Sequence, residues 1–180
     1  MARGFERRRR MRALGLATLG AAVASAAPAS ADIVSSGEVN LGVNCEGGDV
    51  WVVDLDGDGT DDFSFWGAKC CIWVSGELTA TWVEDDLGYP ERLSAGELIN
   101  NSLPFSPGSG PLSAGLGGNW NGSYPVTGYI GVGFMIGAEV HYGWIEYTED
   151  VGCDGTVVQW AYDDIPGAPK IGRASCRERV

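Results

Sequence analysis

Residues 129–136 read YIGVGFMI, residues 140–147 read VHYGWIEY and residues 156–163 read TVVQWAYD. Each run is rich in aromatic and β-branched residues, alternates with a period of two, and is set off by Gly and acidic punctuation. In the third run Val158, Trp160 and Tyr162 share one face, and Gln159 and Asp163 lie on the other. A period of two places successive side chains on opposite faces, so the runs predict antiparallel strands with one face in a core. The same signature recurs at Val50–Leu55, Asp62–Trp66, Cys71–Ser75 and Leu78–Val83. In the last of these, Leu78, Ala80 and Trp82 oppose Glu77, Thr79 and Thr81. Helix signals are scarce: Ser94-x-x-Glu97 offers a capping box, and Gly96 inside it limits any helix to about a turn or two. Residues 101–123 hold three prolines and six glycines and are expected to form a long ordered loop rather than an element. The pattern predicts an all-β fold, an antiparallel β-sandwich or jelly-roll-like architecture with a long Gly/Pro-rich loop.

Both ends differ in composition from this body. Arginines crowd residues 3–12, Ala13–Ala24 is uncharged and Leu/Ala-rich, and Ala29-Ser30-Ala31 is an A-x-A site. This is the layout of a secretory signal peptide over residues 1–31, cleaved near Ala31 to leave Asp32 as the first mature residue. The apolar stretch is too short to span a bilayer, so no transmembrane span is expected in it. Residues 171–180, IGRASCRERV, are similar to the in-frame translation of a short-read sequencing adaptor and read as a non-native tail. A single domain is expected between them, over residues 32–170. The whole chain carries a formal charge of −12, but residues 32–170 hold only Lys69, Arg92 and Lys170 against 22 Asp and Glu. Such a surface repels phosphate backbones and anionic lipid, which excludes a nucleic-acid role and a basic membrane-surface role.

Setting aside Cys176 in the tail leaves Cys45, Cys70, Cys71 and Cys153. An even count in an exported chain predicts two disulfides. Strand neighbours point to opposite faces, so Cys70 and Cys71 are expected to reach Cys45 and Cys153 separately, in an order that stays open. A four-thiolate zinc site is weaker, because no C-x-x-C spacing occurs.

The sharpest chemical signal is Asp54-Leu55-Asp56-Gly57-Asp58-Gly59-Thr60-Asp61-Asp62. Alternate carboxylates at Asp54, Asp56 and Asp58 can converge on a hard cation when the chain turns, with the Thr60 carbonyl and Asp62 as further ligands. Position twelve of an EF-hand would be Phe65 in place of the bidentate Glu, and the flanks read as strands. A strand–loop–strand calcium site is therefore one reading. A solvated hairpin turn is the other, since Asp-Gly pairs turn with or without metal.

Of seven tryptophans, Trp51, Trp73, Trp82, Trp144 and Trp160 lie in predicted strands and are expected in the core. Trp120, on the Gly/Asn-rich loop with Asn119 and Asn121, is the candidate for stacking on a sugar of an extracellular polysaccharide; loop anchoring is its alternative. His141 is the single histidine, which excludes histidine clusters, and no G-x-S-x-G elbow accompanies it. An enzymatic reading, a glycoside-active one included, ranks below a binding or structural role.

Arg92-Leu93-Ser94-Ala95-Gly96-Glu97-Leu98-Ile99, Gly128–Phe134, Tyr142-Gly143-Trp144-Ile145, Trp160-Ala161-Tyr162 and Pro166-Gly167 together resemble the ectodomains of secreted bacterial proteins that end in a PEP-CTERM sorting signal. The acidic D-x-D-G-D-G stretch is also common there. The resemblance covers a little under half the chain, and the pattern is left at Ile171, before any sorting signal. It implies export and surface association in polysaccharide-rich material, and it supplies no catalytic residues.

Overall fold

The computed structural model describes residues 32–46, 48–68, 71–113, 118–120, 122–152 and 154–171, in which there are β-strands and no α-helix. The expected signal peptide, the bulk of the adaptor-like tail, Cys70, Asn121 and Cys153 lie outside the described residues. The larger sheet has seven strands. Its centre is a meander of β10 (Val126–Ile136), β11 (Glu139–Glu149) and β12 (Gly155–Asp163). Beyond β10 lie β6 (Thr81–Val83) and β8 (Phe105–Ser106); along the far edge of β12 lie β1 (Ile33–Ser35) and β2 (Leu41–Val43). The smaller sheet runs β3 (Val50–Val53), β4 (Phe63–Ala68), β5 (Cys71–Gly76) and β9 (Gly108–Pro111). A two-stranded piece pairs β7 (Leu98–Ile99) with β13 (Lys170–Ile171). All strand pairings are antiparallel.

The two larger sheets share one core. Val53, Phe63, Phe65, Ile72 and Val74 from the small sheet meet Ile130, Val132, Phe134, Ile145, Tyr147 and Val157 from the large one. Phe65 lies parallel to Tyr147 with ring centroids 6.3 Å apart, across the two sheets. This is the expected all-β, two-sheet architecture, and all seven predicted strands are present. The expected loop over 101–123 is corrected in part: it contributes β8 and β9, and β9 completes the small sheet.

Three further expectations are corrected. Leu78 is not on a strand face: it sits in a turn with φ of 48° and is 86% exposed, while Ala80 and Trp82 do enter the core. In β12 the register passes from Glu146↔Gln159 to Tyr147↔Val157, so Val158 is the extra residue of a β-bulge. The bulge shifts the alternation by one place, which puts Val157 in the core together with Tyr162. Finally, β10 and β11 are buried on both faces. Leu93 and Ile99 cross the outer face of the large sheet and form a second cluster with Tyr129, Tyr142, Trp144 and Ala161. Gly131 makes room for that cover: a Cβ there would lie 2.7 Å from Val83 Cγ2 and 2.8 Å from Leu93 Cδ1. The Ser94/Glu97 signature forms without a helix, the Ser94 N–H donating to Glu97 Oε2 at 2.7 Å over a turn in which Gly96 has φ of 94°.

Candidate metal centre

The acidic stretch connects β3 to β4 as a hairpin loop, so its flanks are strands. Two glycines in the left-handed region, Gly57 at 78° and Gly59 at 89°, fold it back on itself. Asp54 organises the turn: Oδ1 accepts the Gly57 N–H at 2.7 Å and Oδ2 the Gly59 N–H at 2.8 Å. Asp56 Oδ1 accepts the Asp58 N–H at 3.0 Å, and Asp58 Oδ1 accepts the Thr60 N–H at 2.6 Å. One carboxylate oxygen from each of Asp54, Asp56 and Asp58 then lies within 4.8 Å of the others. Thr60 joins through its N–H, and Asp62 is half-buried at the loop's exit, where Oδ2 accepts the Leu55 N–H at 2.8 Å.

The electrostatics follow from that crowding. Burial pushes the Asp62 carboxyl up to about 6, with the charges of Asp56, Asp54 and Asp58 adding to the rise and the Leu55 N–H opposing it. Asp56 is raised by burial and by its neighbours Asp58 and Asp54. The Tyr162 hydroxyl of β12 is raised by burial and by Asp56, Asp164, Asp62 and Asp54, which places it in the field of the loop. A hard, oxygen-seeking cation fits this donor set, since it accepts carboxylates in flexible geometry and relieves their mutual repulsion.

The proposed sugar-stacking residue is elsewhere. Trp120 is fully buried, packs edge-on against Tyr147 with centroids 5.6 Å apart, and belongs to the main core. Its backbone explains the burial: the Trp120 N–H donates to the Leu112 carbonyl at 3.1 Å, drawing the loop back onto the sandwich. Trp120 therefore presents no stacking face, and the loop-anchoring alternative is the one the structure shows. The Asn119 amide donates to Asp85 Oδ2 at 2.9 Å and to the Pro90 carbonyl at 3.1 Å, a clamp between loops.

No family model matches this chain, and no curated protein or solved structure does.

The chemistry therefore rests on the residues themselves. A second polar site lies at Asp85, Glu91, Arg92 and Asn119 around a cavity of about 190 Å³. Burial favours a higher Asp85 pKa, but the N–H groups of Tyr89, Leu87 and Gly88 and the Asn119 amide hold it below the usual carboxylate range. Glu91 is raised by burial and by Glu97, Asp85 and Asp86. Two carboxylates pushed apart in this way suit acid–base work. The cavity, however, is smaller than the ~300–1,000 Å³ of ligand pockets, and the Asn119 amide is already committed. His141 is buried, its Nδ1 2.9 Å from the Asp163 carbonyl, so it is a structural residue.

Cys45 and Cys71 are buried and are not bonded to one another. Cys45 lies against Gly152 and Asp154, its N–H 3.4 Å from Asp154 Oδ1 and its Sγ 3.5 Å from the Gly152 carbonyl.

Sequence reasoning missed two features. Glu149 is fully buried, with Oε2 accepting the Tyr147 hydroxyl at 2.7 Å. Burial raises its carboxyl, and the Ser113 and Tyr147 hydroxyls oppose the rise. No pattern in the sequence distinguishes this acid from the other 21. The second feature was legible: with Phe63 and Phe65 facing inward, period-two alternation turns Trp66 outward. Trp73, expected in the core, is its cross-strand neighbour on the same outer face, and Trp51, also expected in the core, is 39% exposed at the sheet edge.

Proposed function

We propose that this chain is an exported, surface- or matrix-associated, non-enzymatic β-sandwich protein whose β3–β4 loop is stabilised by calcium. The carrying observation is the convergence of Asp54, Asp56 and Asp58 within 4.8 Å on a strand–loop–strand frame, with Asp62 beside them. Asp54, Asp56, Asp58 and Asp62 would hold the ion through carboxylate oxygens, and the Thr60 carbonyl would complete the set. The acidic composition of residues 32–170 and the signal-peptide layout support an extracellular setting, where calcium is plentiful. The likeness to PEP-CTERM ectodomains supports surface retention in polysaccharide-rich material. Two disulfides among Cys45, Cys70, Cys71 and Cys153 belong to the same reading, since exported domains face an oxidising compartment.

Thermal unfolding of chelator-stripped protein tests the metal. Millimolar calcium should raise the midpoint, reversibly with chelator, by the equivalent of ~2.7 kcal/mol at a concentration a hundred times Kd. Asp56→Asn with Asp58→Asn should remove the rise. An unchanged midpoint at millimolar calcium would sink the calcium reading, and recovery of the chain with an intact N-terminus in the cytoplasm would sink export.

A second reading, a carbohydrate-binding module, draws on the outward tryptophans of the small sheet in place of Trp120.

A further inference from the structure

The large sheet is covered on both faces, whereas the small sheet buries one face in the core and is partly open on the other. Among its described outward positions Cys71, Ser64 and Pro111 are buried, and Val50 and Val52 are open. Its inner face supplies Val53, Phe63, Phe65, Ile72 and Val74 to the core. The alternate positions face outward, and the antiparallel register aligns them across all four strands. One row runs Val50, Trp66, Trp73, Pro111, and Val52 with Ser64, Ser75 and Ser109 form the next. Val50 is 60% and Val52 47% exposed, both tryptophans are half-buried with the Trp73 Nε1 enclosed, and Ser64 and Pro111 are buried, so the open part of the face runs from the β3 edge to the two indole rings. The Trp66 and Trp73 rings lie within 13° of parallel, with centroids 6.3 Å apart.

The charge on this face stands out. Residues 32–170 carry 22 acids, yet neither row contains a charged residue. Among the described residues Glu77 reaches it, accepting the Ser64 hydroxyl at 2.7 Å, and Asp54 and Asp62 stand at the next alternate positions, beyond its edge. An uncharged aromatic island within a polyanionic surface complements an uncharged partner and repels uronate or phosphate polymers. The partner must also be small in section. Four strands spaced ~4.8 Å apart, over about four residues of ~3.3 Å each, present at most roughly 200 Å². A stable dimer needs about 800 Å² per partner, and a second copy would bring an equal negative charge. A sugar chain meets both conditions: its C–H faces lie on indole rings, and its hydroxyls bond to serine and carboxylate.

We propose that the outer face of the four-stranded sheet binds a neutral polysaccharide, whose sugar rings sit on Trp66 and Trp73. The inference rests on the matrix-association reading and names the partner it lacks.

Affinity electrophoresis of the full chain under native conditions tests it, with hydroxyethyl cellulose, galactomannan or dextran cast in the gel and alginate as the anionic contrast. At least one neutral polymer should slow the protein and alginate should not. Trp66→Ala and Trp73→Ala should each weaken the effect about tenfold, the scale of a lost stacking contact. Trp66→Phe should retain part of it. Should the alanine variants fail to fold, Val50→Lys at the exposed rim should weaken retardation with an unchanged thermal midpoint. Unaltered mobility in every neutral gel, equal retardation by alginate, or a dimer that Val50→Lys dissociates would each overturn the proposal. An exported, calcium-stabilised chain that no neutral polymer slows loses this inference alone; a chain confined to the cytoplasm loses the functional reading whatever it binds.

Discussion

Replacing Trp120 with alanine tests whether the loop after β9 is anchored or displayed. The indole is fully buried within the main core and meets Tyr147 edge-on at 5.6 Å. Truncating a tryptophan in such a site costs ~3–5 kcal/mol, the lost transfer energy plus the cavity left behind. For a chain of this size each kcal/mol moves the midpoint by about 2–4 °C, so Trp120→Ala should melt roughly 10–15 °C early. Phenylalanine discriminates further. Trp120 Nε1 is buried without a partner, and such an orphaned donor costs ~1–3 kcal/mol. Trp120→Phe keeps a ring against Tyr147 and removes the donor, so the gain offsets much of the lost packing, and the net cost should be about 1 kcal/mol or less. Circular dichroism melts and urea titrations of the three proteins measure both differences. A Trp120→Ala midpoint within a degree or two of wild type would refute the core assignment. Equal losses in the alanine and phenylalanine variants would refute the orphan-donor argument.

Two other substitutions test features that sit against local rules. Glu149 is buried and its carboxyl is raised, so the folded state holds its proton more tightly than the unfolded chain does. Its stabilising effect is complete below the ordinary carboxylate range and is lost as pH rises through the elevated folded value. Glu149→Gln should therefore melt close to wild type at pH 3 and progressively above it toward neutrality; a gap independent of pH would show that burial of this acid carries no ionisation cost. Leu78 holds φ of 48° while 86% exposed, so it loses little packing and bears left-handed strain. Leu78→Gly should stabilise by ~1 kcal/mol in urea titration, and a loss of stability would mean that the side chain has a contact of its own.

The elements that could be read from sequence were those whose information is local. Five strands, β4, β5, β10, β11 and β12, carry six to eleven residues and display a period of two by themselves, β3 and β6 show it together with their flanking residues, and the carboxylate loop is built from neighbours, so both its hairpin frame and its converging aspartates follow from spacing. The remaining strands, β1, β2, β7, β8, β9 and β13, have two to four residues each. Their existence depends on partners far along the chain, as when β9 adds to β5, and no periodicity announces that. Trp120 was hard for the same reason: a Gly/Asn-rich context normally means an exposed loop, and its burial depends on a backbone bond to Leu112. Val158 shows a different limit. Alternation is visible along β12, but a single inserted residue changes which members face the core, and only the pairing with β11 reveals it. The outward Trp66–Trp73 pair needed the opposite step, taking alternation literally for tryptophan and not assigning it to the core by type.

Covering the large sheet on both faces while the β3 edge of the small sheet stays open has a consequence in time. Amides in β10 and β11 exchange only when two separate layers lift, whereas β3 is an edge strand with Val50, Trp51 and Val52 open to water. Local opening should begin at β3 and leave the β10–β11–β12 meander as the last structure to dissolve. The carboxylate loop grows out of that least protected strand. An ion held there would act as a clasp on the half of the molecule that loosens first, and its effect on resistance to proteolysis would exceed its effect on the global midpoint.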